Sequence, residues 1–291
     1  MQKQGVFFAL LATIGWSFTY IFSRGLADVI PPCTLSAGRC LVAFLITLPF
    51  ALPSLPREIG HFKKRLRHYM LLSFTGITFA NTAIYLAAQT TPALNLSLIS
   101  CTTPIFTIII ARLVFNEAVH ARRAAGIIIT LAGILLLLSR GDPGVITNLS
   151  FHVHDLFTLA SAFSFALYTL LVRKKPAGCS SSSFLAVIFG LSLIQLIPAS
   201  ALELMSGEEL VFTPELITGL IYMGLVASPL CYLWWGKAVA AIGPSKTTII
   251  YYSLPLFCGI EAVLFLGETV NWVHFASGAL ILGGLALATK E

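Results

Sequence analysis

Residues 104–117 read PIFTIIIARLVFNE, and residues 255–268 read PLFCGIEAVLFLGE. An offset of 151 superposes Pro104 on Pro255, Phe106 on Phe257, Leu113 on Leu264 and Glu117 on Glu268, and continues to Val119 on Val270 and Gly133 on Gly284. One offset that holds through two apolar stretches and the link between them marks an internal duplication. Nearer the start, a weaker offset of 149 pairs Ala12 with Ser161, Trp16 with Phe165 and Arg24 with Arg173. The copies then occupy residues 5–138 and 155–288.

The chain around these copies is built for lipid. Of 291 residues 57% are apolar and 10% charged, and the mean hydropathy is +0.90; a soluble domain is about half apolar and a quarter charged. A helix needs roughly 20 apolar residues to cross a bilayer core of about 30 Å. Ten stretches meet that need, near 5–23, 34–52, 69–88, 92–114, 122–138, 155–172, 183–202, 215–235, 245–266 and 272–288. Runs such as 126–138 do not alternate apolar with polar, which excludes a transmembrane β-barrel. The first stretch follows a single Lys3 and precedes no small-residue cleavage signature, so it is expected to be a retained helix.

Five crossings per copy is an odd number, so the second copy must enter the membrane from the opposite side. The expected fold is all-α and integral to the membrane, with ten transmembrane helices in two inverted five-helix repeats. Charge agrees. Assigning each loop to a side places fifteen of the eighteen Lys and Arg on one face, among them Lys3, Arg57 to Arg67, Arg173 to Lys175 and Lys290. The other face holds Arg24 and Arg140, while Arg39 falls inside the second helix. Positive residues stay cytoplasmic, which puts both termini there. The basic loop 53–68 corresponds to 203–215, which has four Glu and no Lys or Arg. The pI of about 9.1 therefore reflects topology, and no nucleic-acid partner is expected.

With proline at 104 and 255, each copy followed by a glycine-bearing last helix, the chain resembles the EamA domains of the drug/metabolite transporter superfamily over nearly its whole length. The resemblance implies a basket of ten helices around a central cavity lined by the first, third and fourth helices of each half. It also implies export of amino acids, other metabolites or drugs, from a plasma membrane, here a bacterial inner membrane. Inverted repeats are a recurring construction of secondary transporters, whose halves exchange conformations around a midplane site.

Polar and aromatic residues at helical spacing mark the faces that would line such a cavity. Trp16 and Tyr20 lie on the first helix, Asn81, Tyr85 and Gln89 on the third, Tyr168 on the sixth, Tyr232 on the eighth and Tyr251 on the ninth. Pro104 and Pro255 each remove a backbone N–H mid-helix, freeing the carbonyls of Ser100 and Tyr251, and are expected to act as hinges. Glu117 and Glu268 are expected at the positive end of the last helix of each copy. Arg39 and Glu261 are the charges placed well inside the membrane, at matching depth near its outer side, where an unpaired charge costs about 2.5–3.5 kcal/mol on insertion scales. They are expected to form an ion pair, either a permanent gate or one that opens to let Glu261 carry a proton.

Six scattered cysteines without a C-x-x-C pair, and histidines confined to loops and helix ends, give no metal centre, and no cofactor is expected. The sequence lacks G-x-S-x-G and H-E-x-x-H, which disfavours an intramembrane enzyme. A facilitator or channel remains the alternative to a carrier of small amino-acid-like metabolites. The partners expected are a small-molecule substrate and the bilayer. Glycines 126, 133, 278, 283 and 284 allow close packing within a monomer or across a homodimer.

Overall fold

The computed structural model describes residues 2–115, 121–139, 141–142, 153–172, 179–207 and 210–289. Glu117, Arg140, the basic run 173–175, Glu208, Glu209 and Lys290 lie outside the described residues. Among the described residues every regular element is helical. Eight helices are long and apolar enough to cross a membrane: Lys3–Gly25, Pro32–Ala51, Leu66–Ala88, Ala93–Ile110, Val153–Val172, Ser181–Met205, Pro214–Ile242 and Lys246–Leu266. Two shorter apolar helices, Ala124–Leu137 and Trp272–Gly284, fall where the fifth and tenth crossings are expected.

The helices are named in chain order: α1 (Gln2–Gly25), α2 (Pro32–Ala51), α3 (Leu55–Lys64), α4 (Leu66–Ser73), α5 (Phe79–Ala88), α6 (Ala93–Ser100), α7 (Thr103–Phe115) and α8 (Ala121–Leu138). They continue as α9 (Val153–Val172), α10 (Ser181–Met205), α11 (Pro214–Leu225), α12 (Cys231–Ile242), α13 (Pro244–Ile250), α14 (Leu254–Glu261) and α15 (Trp272–Thr289). The loop 53–68 is not featureless, since it folds into α3, whose Phe62 is buried while its Lys63 and Lys64 are exposed.

Burial follows a membrane protein's logic. Phe50, Leu113, Leu264 and Phe275 each expose about 70% or more of their surface, whereas Thr13, Ser17, Ser192, Ser228 and Arg39 are buried. An apolar outside around a polar inside suits a lipid solvent and would be unsustainable in water.

The main helix pairings join residues before 140 to residues after 150: α8 with α15, α2 with α10, α1 with α12, and α5 with α9. Carboxylates meet helix starts at two interfaces, α2–α10 and α3–α10. Glu203, on α10, accepts from the backbone N–H groups of Cys33 and Thr34 at 2.8 and 2.7 Å. Glu58, on α3, accepts from that of Ser180 at 3.1 Å. Each places negative charge on the orphan donors and positive dipole end of a partner helix.

Glycines set the α8–α15 contact. A Cβ on Gly133 would lie 2.8 Å from Leu280 Cβ, and one on Gly284 would lie 2.7 Å from the carbonyl of Gly126. Those two glycines are therefore used within the chain, whereas nothing lies within 4 Å of the same position on Gly283.

The third crossing of each copy contains a π-helical turn, at Phe74–Thr78 between α4 and α5 and at Val226–Leu230 between α11 and α12. The fourth is interrupted in each copy, at Cys101–Thr102 between α6 and α7 and at the 3₁₀ turn Tyr251–Ser253 between α13 and α14. Both interruptions sit just ahead of the proline. The carbonyls freed there find local donors: Thr103 Oγ1 donates to Ser100 O at 2.8 Å, and the N–H of Leu254 donates to Tyr251 O.

Candidate functional site

Where the interrupted and π-turned helices meet, they line a cavity of about 50 Å³. Trp16, Thr19 and Tyr20 reach it from α1, Ala80, Asn81 and Ile84 from α5, and Ser100 and Thr103 from the break before Pro104. Ser161, Ala162 and Phe165 come from α9, Tyr232 from α12 and Tyr251 from the second break. Five of the sequence-derived candidates, Trp16, Tyr20, Asn81, Tyr232 and Tyr251, thus converge on one space.

Its wall is an aromatic cluster. The Trp16 ring centre lies 5.3 Å from that of Phe165, 5.4 Å from Tyr232, 5.2 Å from Trp235 and 6.1 Å from Tyr251. The Phe165 and Tyr232 contacts are edge-to-face, the arrangement that aromatic quadrupoles favour. The hydroxyls of Tyr20 and Tyr251 meet at 3.0 Å across the cavity. Thr19 Oγ1 is buried there without a hydrogen-bond partner.

The π turns supply carbonyls to this layer. A π turn widens the helix and releases carbonyls from the regular ladder, and in the second copy Pro229 also removes a donor. Ala227 O accepts from Trp16 Nε1 at 2.8 Å and from Arg39 Nη2 at 3.0 Å. In the first copy Gly76 O accepts from the Tyr232 hydroxyl. Several contacts join residues separated by the repeat offset itself: Trp16 and Phe165, 149 apart, and Asn81 Nδ2 and Tyr232 OH, 151 apart at 3.3 Å.

Three candidates stand elsewhere. Tyr85 lies behind the wall, its hydroxyl accepting from Arg39 Nη1 at 2.6 Å. Gln89 caps the C-terminus of α5, eight residues from Asn81 and so about 12 Å further along the axis, too far to share so small a cavity. Tyr168 is buried one layer deeper, stacked on Phe165 at 5.6 Å.

The expected Arg39–Glu261 ion pair is not formed. Arg39, 1% exposed, donates from Nε to Ser228 Oγ at 2.6 Å, from Nη1 to Asn81 Oδ1 at 2.7 Å and to Tyr85 OH, and from Nη2 to Ala227 O. The guanidinium fork is occupied by neutral acceptors of α5 and the second π turn, and Glu261 instead meets Ser17 of α1. Arg39 therefore puts an unneutralised positive charge one side chain behind the cavity, with Asn81 and Tyr232 between.

Glu268 is corrected too. Its carboxylate accepts from the N–H groups of Ala93 and Leu94 at 2.7 and 3.2 Å, so it caps α6 and not the last helix. Near it a cavity of about 660 Å³ is lined by Arg24, Asp28, Asn95, Glu268, Asn271 and His274 among others. Among the described residues no cluster of His, Cys, Asp or Glu is arranged to hold a metal ion.

Apolar-faced helices around a small polar and aromatic cavity define a multi-pass membrane protein. The sequence matches the EamA-like transporter family over residues 3–139 and again over 153–290, and the chain belongs to that family. It is 27% identical to an uncharacterized transporter of Archaeoglobus fulgidus, over 97% of this chain and 96% of that one. It is 26% identical to a probable amino-acid metabolite efflux pump of Escherichia coli, over 98% and 94%. A probable terminal-alkyne amino-acid exporter of Streptantibioticus cattleyicolor is 22% identical over 99% and 94%. A protein of known crystal structure shares the fold with a TM-score of 0.65, at 18% identity, covering 99% of this chain and 98% of that one.

Proposed function

We propose that this protein is a secondary transporter that exports small amino-acid-like metabolites by alternating access, from ten helices in two inverted five-helix repeats, 5–138 and 155–288. The observation that carries this reading is the cavity wall itself. Residues one repeat offset apart touch each other there, as Trp16 touches Phe165 and Asn81 touches Tyr232. Equivalent residues of two copies meet only near the axis that relates the copies, so the cavity sits where exchange of the halves would open it first to one side and then to the other.

The chemistry of the wall fits the substrate class. Rings surround an apolar body, Thr19 and the tyrosine hydroxyls offer hydrogen bonds, and the Arg39 charge behind Asn81 favours a carboxylate. Printed names of relatives, an amino-acid metabolite efflux pump and an amino-acid exporter, point the same way. A ligand site is ordinarily about 300–1,000 Å³. The 50 Å³ cavity is smaller than that, so in this reading it widens to admit substrate. With the termini cytoplasmic, the 660 Å³ space around Glu268 lies on the exit side of a bacterial inner membrane.

The test is flux of a tritiated mixture of the protein amino acids in vesicles containing the purified chain. A carrier gives saturable flux and counterflow. Flux that rises linearly without saturating would favour the channel reading instead.

A further inference from the structure

We propose that Glu261 is the exchangeable proton site of this carrier, taking a proton from the outside and releasing it to the cytoplasm in each export cycle. The inference rests on the exporter reading and adds the coupling ion and the residue that carries it.

Glu261 is 7% exposed on α14, and its hydrogen-bond neighbour is Ser17, whose Oγ lies 2.8 Å from Oε1. That same Oγ lies 2.8 Å from the carbonyl of Ile14. A serine hydroxyl has one hydrogen and cannot donate to both. Side chains along α1 give theirs to their own helix, as Thr13 does to Ala9 O and Ser23 to Thr19 O. If Ser17 does likewise, the hydrogen of the second contact belongs to Glu261, which then donates from Oε1 to Ser17.

The surroundings agree with a neutral acid. Oε2 is buried with no partner, a far larger penalty for a carboxylate than for the carbonyl of a carboxylic acid. Among the described residues, the titratable groups beside Glu261 include Tyr222 of α11 and Cys258 of its own helix, neither of them a cation. The adjoining α6 has no titratable residue. On α1 the nearest cation in sequence, Arg24, donates to the carbonyls of Ala88 and Gln89, and Arg39 gives four of its five N–H groups to Ser228, Asn81, Tyr85 and the Ala227 carbonyl. Neutralisation by a proton is what remains for this carboxyl.

Geometry connects the proton to the cavity. Ser17 follows Trp16, whose ring is the hub of the cavity wall, and Glu261 follows the second helix break by one α-helix. Breaking the Glu261 O–H bond passes the proton to water and leaves a carboxylate that one serine cannot stabilise in a dry bundle. Water must then reach it, and α1 must move relative to α14. The O–H bond re-forms when Glu261 faces the more acidic side.

Two measurements on the full-length purified protein decide the matter. The first is infrared difference spectroscopy between acidic and alkaline pH, which needs no substrate. The wild type is expected to lose a protonated-carboxyl carbonyl band that is missing from Glu261→Gln, and Ser17→Ala is expected to shift the pH at which it disappears. The second uses the tritiated amino-acid mixture in vesicles. For one-to-one exchange a gradient of one pH unit supports about tenfold accumulation. Glu261→Gln is expected to abolish this accumulation, to keep counterflow, and to regain part of the accumulation as Glu261→Asp. Accumulation by Glu261→Gln at the wild-type level, or the same carbonyl band in that variant, overturns the proposal. If the wild type shows no counterflow, the exporter reading fails for these solutes, and the infrared comparison still accepts or rejects the proton site.

Discussion

Gly284→Ala is a small change with a large expected effect, and its neighbour supplies the control. A Cβ at position 284 would stand 2.6 Å from Thr130 Oγ1 and 2.7 Å from both Gly126 O and Thr130 N. Two of these three are backbone atoms, which cannot turn aside. Ordinary contact begins near 3.4 Å, so α15 must back away from α8 by several tenths of an ångström, along the interface where Gly133 meets Leu280 and Ile281. Overpacking of this kind costs about 1–3 kcal/mol, offset by about 0.5–1 kcal/mol because alanine suits a helix interior better than glycine. A net loss of about 1–2 kcal/mol corresponds to a melting temperature lower by about 2–8 °C in a chain of this size. Gly283→Ala adds the same methyl one residue earlier, into open space, and should raise the melting temperature slightly. The assay is thermal unfolding of both variants in one detergent. Equal destabilisation of the two, or a Gly284→Ala protein as stable as the wild type, would refute the close α8–α15 contact.

Arg39→Lys keeps the charge but has three donors on one atom in place of a planar fork, and it cannot reach Ser228, Asn81, Tyr85 and the Ala227 carbonyl together. With interhelical hydrogen bonds in membranes averaging about 0.6 kcal/mol, the loss of two should cost about 1 kcal/mol by thermal unfolding, and flux should fall. Glu268→Gln removes the charge that caps α6 from outside that helix, for a cost of about 0.5–2 kcal/mol, whereas Glu215→Gln, in the first turn of its own helix and exposed, should cost less in the same assay. A cysteine replacing exposed Ser206 in a cysteine-free background should react with an impermeant thiol reagent from outside the cell. Position 207 suits this less well, because Gly207 has a φ of +88° that a side chain would strain.

Much of this architecture was legible in the order of residues. The repeat of 104–117 in 255–268 located both helix breaks, because proline cannot donate to the ladder wherever it stands. Of the polar and aromatic stripes, Trp16, Tyr20, Asn81, Tyr232 and Tyr251 line the small cavity. Tyr85, Gln89 and Tyr168 lie on the same stripes away from it, since a stripe names a helix face and a cavity occupies one level of it. The π turn at 74–78 was invisible because FTGIT has no proline and nothing else that forces a five-residue repeat. Without the two π turns, Ala227 and Gly76 would not offer carbonyls to Trp16, Arg39 and Tyr232. Matching depth for Arg39 and Glu261 suggested a pair, yet depth alone says nothing of rotation about each axis. Glycine at 133 and 284 signalled close packing, and only coordinates could show that each faces the other's helix.

The most direct test of the central claim is the accessibility of Ala162, a small residue that is 2% exposed and lines the cavity. With the six native cysteines replaced, Ala162→Cys can be exposed to an impermeant thiol reagent applied to intact cells in one experiment and to inverted vesicles in another. Alternating access predicts slow modification from either side, each rate changed by the tritiated amino-acid mixture's unlabelled counterpart. A cysteine at this position that reacts from neither side would contradict the account, because the cavity would then never open.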